Sequence, residues 1–120
     1  MEKPEAKSAE DLVILTRVFD LLEWLMPKGE SFPRAFRATV TARLLGAALD
    51  LSEHLLDAQT RRGAGRRERL TDAALSRLRF YLRLAYRWRW LSDGQYEHLS
   101  RMVAEIGRLL GGWMRQAVKS

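Results

Sequence analysis

Few residues in this 120-residue chain belong to the types that carry most enzyme chemistry. Cysteine is absent, which excludes disulfides within the chain, thiolate catalysis and cysteine-ligated metals. The two histidines, His54 and His98, occur in separate segments without an HExxH or ExxH pattern, and we expect them to flank the core. The glycines of residues 61–67 lack the spacing and the Gly-Lys-Ser/Thr end of a phosphate-binding loop. We therefore predict no catalytic residue, no metal and no cofactor.

Arginine is the residue type whose number and placement do indicate chemistry. It supplies 17 of the 21 cationic residues in a chain of net charge +6 and pI near 10.3. Residues 61–91 hold ten arginines against two acids, a net charge of +8, whereas the remainder holds 11 cations and 13 anions. Because the planar guanidinium matches phosphate and stacks on bases, this segment predicts a polyanion partner.

Helical spacing predicts which of these side chains act together. Arg79, Arg83 and Arg87 follow one another at four-residue intervals, and Trp90 falls among them as a stacking platform for bases. The preceding joint adds four more predicted nucleic-acid-binding residues, namely Arg61, Arg62, Arg66 and Arg67. The alternative is a solvated face, because charge runs are usually just surface. A membrane surface fits less well, since the apolar side of this segment is needed for the core.

Four amphipathic segments must position these arginines. After a polar tail at residues 1–7, we predict helices over about 8–26, 33–60, 66–91 and 92–115. Ser8 with Asp11 and Ser92 with Gln95 have the spacing of capping boxes, and Pro33 suits a first helical turn. Short joints make consecutive helices antiparallel neighbours. The sequence therefore predicts one all-α domain, an antiparallel up-down-up-down four-helix bundle.

The apolar residues also predict which faces form the core. On the first helix the expected stripe is Leu12, Leu15, Phe19, Leu22 and Met26, with Val18 and Leu25 beside it. On the third helix the stripe is centred near Leu70, Tyr81 and Trp88 and also contains Ala73, Ala74, Leu78, Leu84, Ala85 and Leu91. The expected stripe of the second helix is Phe36, Val40, Leu44, Ala47, Leu51, Leu55 and Ala58, and that of the fourth is Leu99, Met102, Val103, Ile106, Leu109, Leu110 and Trp113. Arg77 falls within that third apolar face, where we expect it to extend to solvent or to pair with Asp20 or Glu23.

Several leucines lie away from these predicted stripes. Leu75 and Leu82 fall opposite the expected core of the third helix, and Leu45 and Leu49 lie off the main stripe of the second. A bundle that is apolar on more than one face usually covers the second face with another copy. We therefore predict a homo-oligomer interface at these four residues, with isolated surface leucines as the alternative.

The sequence carries no membrane signal. The N-terminal residues lack the apolar region of a signal peptide, and no apolar run approaches the 18 or so residues that a span requires. A cytoplasmic protein without membrane partners is the expectation.

Residues 105–115 form a distinctive ending with three glycines, Gly107, Gly111 and Gly112, within or at the end of a helix. This ending resembles that of the accessory variability determinant (Avd) proteins of diversity-generating retroelements, in the wider four-helix-bundle family that includes 23S rRNA intervening-sequence proteins. Further similar segments follow in the family's order, namely Phe32-Pro33-Arg34 with Arg37, Leu78-Arg79 with Leu82-Arg83-Leu84-Ala85, and Leu91-Ser92 with Gln95-Tyr96.

The resemblance implies a specific function. Avd proteins are non-enzymatic, form barrel-like homopentamers of four-helix bundles and bind nucleic acid through a basic surface. They associate with a reverse transcriptase that copies template-repeat RNA into cDNA with adenine-directed errors. We expect the same partners here. The alternatives are an intervening-sequence relative and a purely structural oligomerisation module.

Overall fold

The computed structural model describes the backbone of residues 8–61 and 65–119 and the side chains of these residues as far as residue 115. The predicted tail at residues 1–7 and Arg62 lie outside these residues. Within them the regular secondary structure is all helical, without a strand. The four α-helices are α1 (Ala9–Gly29), α2 (Ala42–Thr60), α3 (Arg66–Arg87) and α4 (Asp93–Lys119), and α2 is preceded by a 3-10 turn (Arg34–Phe36) and a π-helical turn (Arg37–Thr41).

The helices pack as a four-helix bundle in chain order. Each helix packs against the next, with the widest contact between α2 and α3, and α4 returns to α1. The amide of Gln59 at the end of α2 donates to the carbonyl of Asp11 at the start of α1, 2.9 Å away. Tyr86 near the end of α3 stacks on Tyr96 near the start of α4. These contacts join opposite ends of consecutive helices and confirm the predicted antiparallel arrangement.

Two helix starts are capped as the sequence predicts. The Ser8 hydroxyl accepts from the Asp11 backbone N–H at 3.1 Å, and the Asp11 carboxylate accepts from the Ser8 N–H at 3.3 Å. Ser92 and Gln95 make the same reciprocal pair, at 3.1 and 2.9 Å. Each pair satisfies two backbone donors that the first turn would otherwise leave without partners.

The joint between α1 and α2 differs from the prediction. α1 runs through Pro27 to Gly29 instead of ending at Met26, so Pro27 lies within the last turn of the helix. Beyond Pro33 the chain makes the 3-10 and π-helical turns before regular α-helix begins at Ala42.

The third helix ends at Arg87, four residues earlier than predicted. Arg89 adopts a left-handed φ of 65°. Its N–H donates to the carbonyl of Tyr86, and the N–H of Trp90 donates to the carbonyl of Ala85, both at 2.9 Å. This pair of bonds is a Schellman motif, with arginine in the position that glycine usually occupies. The motif reverses the chain and directs Trp90 away from the course of the helix.

The buried face of α1 is not the predicted stripe. Its core residues are Ile14, Val18, Leu21 and Leu25. Phe19, which we expected in the core, is 61% exposed. Because α1 carries apolar residues on two adjacent faces, the pattern alone fits either orientation, and packing against α2 and α4 selects one.

The core face of α3 is also rotated from the prediction. The predicted stripe is confirmed at Ala74, Leu78 and Ala85, which are buried, but its predicted centre is open to solvent at Leu70 and Trp88 and half-buried at Tyr81. Leu75 and Leu82, which were expected outside the core, are buried instead. On α2 and α4, the fully buried Leu51, Leu99 and Ile106 lie on the predicted stripes. The rotation on α3 decides which arginines face outward.

Candidate nucleic-acid interface

Three arginines on α3 form the centre of the candidate site. Arg79, Arg83 and Arg87 are exposed, and none of them makes an ion pair within the described part of the chain. They follow each other one helical turn apart along α3, and we call them the arginine stripe. From residue 73 to residue 92 the sequence contains no acid. The stripe therefore combines concentrated positive charge with free hydrogen-bond donors.

Arg79 is positioned by a glycine on the neighbouring helix. Its guanidinium lies directly over Gly107 of α4, at a point where a Cβ would collide with Nη2. Leu75 packs beside the same glycine. A Cβ at position 107 would displace the flexible end of Arg79, so Gly107 gives this guanidinium room to lie against α4.

A shallow groove of about 270 Å³ runs beside the stripe, between α3 and α4. Arg79 and Arg83 line one side, and Tyr96 and Ser100 line the other. This groove gives the stripe a concave edge, whose lining also includes the apolar Leu82, Val103 and Ala104. Its arginines and its residues with hydroxyl groups are of the types that contact nucleic-acid phosphates and sugars.

The predicted arginines of the α2–α3 joint differ in exposure and in hydrogen bonding. Arg61 and Arg66 are exposed. Arg67 is half-buried, and its guanidinium donates to the Arg61 carbonyl at 3.1 Å, so it helps to close the turn. Arg69, which the sequence argument did not select, is exposed on α3. The surface that continues the stripe towards this end therefore includes Arg66 and Arg69.

Arg77 pairs with an acid that the sequence argument did not select. Its guanidinium lies 3.4 Å from Asp50 on α2 and is half exposed, and neither Asp20 nor Glu23 is its partner. The rotation of α3 places Arg77 at the border of α2, out of reach of α1. This ion pair contributes to the α2–α3 contact and separates Arg77 from the arginine stripe.

Trp90 does not lie on the stripe. It is half-buried, with ring centroids 5.3 Å from both Phe32 and Phe36 and 5.4 Å from Trp88. These four rings form an aromatic end cluster where the α1–α2 and α3–α4 joints meet. The Schellman turn at Arg89 causes this placement, because a helical wheel continued past Arg87 no longer applies. Trp88, 45% exposed, presents the outer ring of the cluster.

The exposed aromatic residue on α3 is Phe80. It is 65% exposed and lies one turn from Arg77 on one side and from Arg83 on the other. A wheel centred on the true core face, through Leu78 and Leu82, places Phe80 on the solvent side. Helical spacing does not identify Phe80 as a surface residue, because the predicted core face of α3 is rotated from the true one.

The predicted oligomer-interface leucines also separate into two groups. Leu75 and Leu82 are buried in the core of the bundle itself, which corrects their assignment to an interface between copies. Leu45 is half-buried and packs onto the bare backbone of Gly29 in α1. Leu49 is exposed.

An apolar surface does lie open on the other side of the bundle. It consists of exposed side chains from two adjacent helices, Leu12 and Phe19 on α1 with Leu49 and Leu56 on α2. Helical spacing puts the α2 members on the flank that carries Leu45, which touches α1. We call these four residues the α1–α2 apolar surface.

Polar and aromatic side chains also come together at two places outside the arginine stripe. A groove of about 790 Å³ between α1 and α4 contains Trp24 and His98, whose rings lie 5.5 Å apart, among ion-paired residues such as Arg101. The Tyr86 hydroxyl donates to the Asp93 carboxylate at 2.7 Å. This hydrogen bond, with the negative charge of Asp93, raises the pKa of Tyr86.

Among the residues that the structure describes, no three histidine or acidic side chains are grouped so that they could hold a metal ion. No helix in the same part of the chain is both long enough and apolar enough to span a membrane.

The sequence model of a family described as bAvd-like matches residues 12–117 of the chain. These residues include all of the arginine stripe and the second capping box, Ser92–Gln95, but not the first, Ser8–Asp11. No curated protein matches the chain.

Proposed function

Because the chain belongs to the bAvd-like family, we propose that it is a non-enzymatic accessory protein of a diversity-generating retroelement. It binds template-repeat RNA and cDNA through the exposed arginines of α3 and associates with the reverse transcriptase. The polymerase supplies the chemistry of error-prone copying, and this protein holds nucleic acid beside it. The family match favours this role over that of an intervening-sequence relative.

The observation that carries the proposal is the difference between two groups of arginines. Arg17, Arg101 and Arg108 on α1 and α4 each pair with an acid on their own helix. The arginine stripe has no such partners within the described chain, although like charges four residues apart weaken a helix. Unpaired guanidiniums retain their donors for phosphate oxygens, which they bind with charge-assisted and often bidentate hydrogen bonds.

Charge reversal of the stripe tests the proposal. The variant Arg79→Glu/Arg83→Glu/Arg87→Glu should bind a 30-nucleotide single-stranded RNA about a hundredfold more weakly or worse, because three phosphate contacts become repulsive. The slope of log affinity against log salt should fall by about 2, at roughly 0.7 per lost contact on a single strand. Fluorescence anisotropy across a salt series measures both quantities, and circular dichroism verifies that the helices remain.

The matched control is Arg17→Glu/Arg101→Glu/Arg108→Glu, which changes the net charge by the same amount on α1 and α4, outside the arginine stripe. It should retain most of the affinity. Equal losses in the two triple variants would show that only overall charge matters. Wild-type affinity in the stripe variant would exclude α3 as the binding surface.

Association with a reverse transcriptase is tested separately. Co-expression with the reverse transcriptase of the same locus should yield a complex that survives size-exclusion chromatography. A reverse-transcriptase gene beside two near-identical repeats would support the retroelement role, whereas an open reading frame within a 23S rRNA gene would contradict it.

We also propose that the protein functions as a homo-oligomer, with the pentamer of its family as the expected state. The α1–α2 apolar surface favours this assembly, because four large apolar side chains on two adjacent helices form the kind of patch that subunit contacts cover. A purely structural oligomerisation module would share this surface but would not bind RNA through the arginine stripe.

A further inference from the structure

We propose that Phe80 is a base-stacking residue that makes the α3 surface selective for single-stranded over double-stranded nucleic acid. The inference rests on the proposed binding function of α3 and specifies its ligand. It identifies the role of an aromatic side chain that phosphate binding alone does not explain.

Phe80 has the exposure and surroundings that stacking requires. It is 65% exposed, more than any other large hydrophobic side chain in the described part of the chain. Its ring contact there is with Tyr81, at a centroid distance of 5.2 Å and an interplanar angle of 87°. A perpendicular contact occupies at most one face of the Phe80 ring, so at least one face remains open for parallel stacking.

The charges around Phe80 specify the partner. At 100° per residue, Phe80 lies within about 20° of Arg87 on the helix surface and about 60° from Arg77 and Arg83. An apolar ring among like positive charges is a poor site for the same surface of a second copy, because the two sets of arginines would repel. A polyanion with exposed aromatic bases complements both the ring and the charges.

The preference for single-stranded over double-stranded nucleic acid follows from the accessibility of the bases in each. In a duplex the bases stack on one another inside the helix, and an outside contact reaches mainly phosphates and groove edges. In a single strand each base has a free face, and stacking on an aromatic side chain depends little on sequence. Phe80 therefore strengthens binding to single strands, whereas the arginine stripe serves single strands and duplexes alike.

The test compares Phe80 with an exposed apolar side chain that belongs to neither the arginine stripe nor the α1–α2 apolar surface. Phe80→Ala should weaken binding to a 30-nucleotide single-stranded RNA by between about fivefold and a hundredfold, the range for losing one aromatic stacking contact. Binding to a duplex of the same length should change less than twofold, and the salt slope should be unchanged because no phosphate contact is lost. Phe80→Trp should preserve the affinity. Val13→Ala, which shortens an exposed apolar side chain on α1, should have no effect on either ligand.

An abasic strand of the same length adds a second readout. It offers phosphates without bases, so wild type and Phe80→Ala should bind it equally. Equal loss of duplex and single-strand affinity in Phe80→Ala, or no loss at all while wild type binds, would overturn the stacking role. A change in subunit number in Phe80→Ala would instead identify Phe80 as a contact between copies. Absence of RNA binding by wild type, or full binding by the stripe variant, would refute the underlying function.

Discussion

Tyr86 makes two contacts across the joint between α3 and α4. Its hydroxyl donates to Asp93, the first residue of α4, while its ring lies parallel to Tyr96 at 4.2 Å. The Asp93 carboxylate stabilises the protonated phenol, which is why the pKa of Tyr86 is raised. The contribution of this bond to stability is therefore present below the ordinary tyrosine pKa of about 10 and is lost as pH rises through the higher pKa of the folded state.

The variant Asp93→Asn tests this assignment. It removes the carboxylate but leaves Arg89, whose positive charge lowers the pKa of Tyr86, so that pKa should fall towards its ordinary value. NMR titration of protein labelled with ¹³C-tyrosine measures the change. Glu97→Gln, which removes an exposed carboxylate one turn away on α4, is the control and should leave the titration of Tyr86 unaltered. Identical Tyr86 titrations in Asp93→Asn and wild type would contradict the assigned hydrogen bond.

At the scale of elements, the end of α3 decides where the aromatic residues lie. The Schellman turn requires one residue with a positive φ, and Arg89 occupies that position. A residue with an L side chain is strained by about 1 kcal/mol in this left-handed conformation. Without this turn α3 would continue, and Trp90 would join the arginine stripe. With it, Trp90 packs on Phe32 and Phe36 and Trp88 becomes the outer ring.

Replacing Arg89 by glycine should therefore stabilise the protein. Glycine adopts the left-handed conformation without strain, so Arg89→Gly should raise the free energy of unfolding by about 1 kcal/mol. Urea denaturation followed by circular dichroism measures the difference. Arg87→Gly removes the same charge from within α3 and should lower stability by up to about 1 kcal/mol. Destabilisation of similar size in both variants would show that the turn does not hold Arg89 as described.

At the scale of the whole molecule, the bundle presents two unlike surfaces. One carries the arginine stripe and Phe80 on α3, and the other carries the α1–α2 apolar surface. A subunit that joins other copies through one surface and binds nucleic acid through the other can assemble without blocking its ligand site.

Phe19→Glu tests this division. A charge in the α1–α2 apolar surface should disfavour its burial between subunits and shift the protein to smaller assemblies, measured by native mass spectrometry and light scattering. Phe80→Glu places the same charge on an equally exposed phenylalanine on α3 and should leave the subunit number unchanged. The reverse result would show that copies associate through α3.

The sequence by itself determined the features that depend on neighbouring residues. The capping pairs Ser8–Asp11 and Ser92–Gln95 lie three residues apart, so each could be recognised directly and each forms as predicted. Helical periodicity indicated four helices, and the short joints indicated their antiparallel order. The concentration of arginine in residues 61–91 is likewise a property of composition, independent of folding.

Only the tertiary structure decided which faces are buried. On α3 the apolar residues cover two neighbouring stripes, and the choice of Leu75 and Leu82 over Leu70 and Trp88 depends on the combined packing of α2 and α4 against the helix. The left-handed turn at position 89 carries an arginine instead of the glycine that usually marks such a turn in a sequence. The positions of Trp88 and Trp90 could therefore not be inferred. The burial of an amphipathic helix is set by contacts between residues distant in sequence, which no local pattern contains. That choice moved Leu75 and Leu82 into the core and placed Phe80 among the exposed arginines.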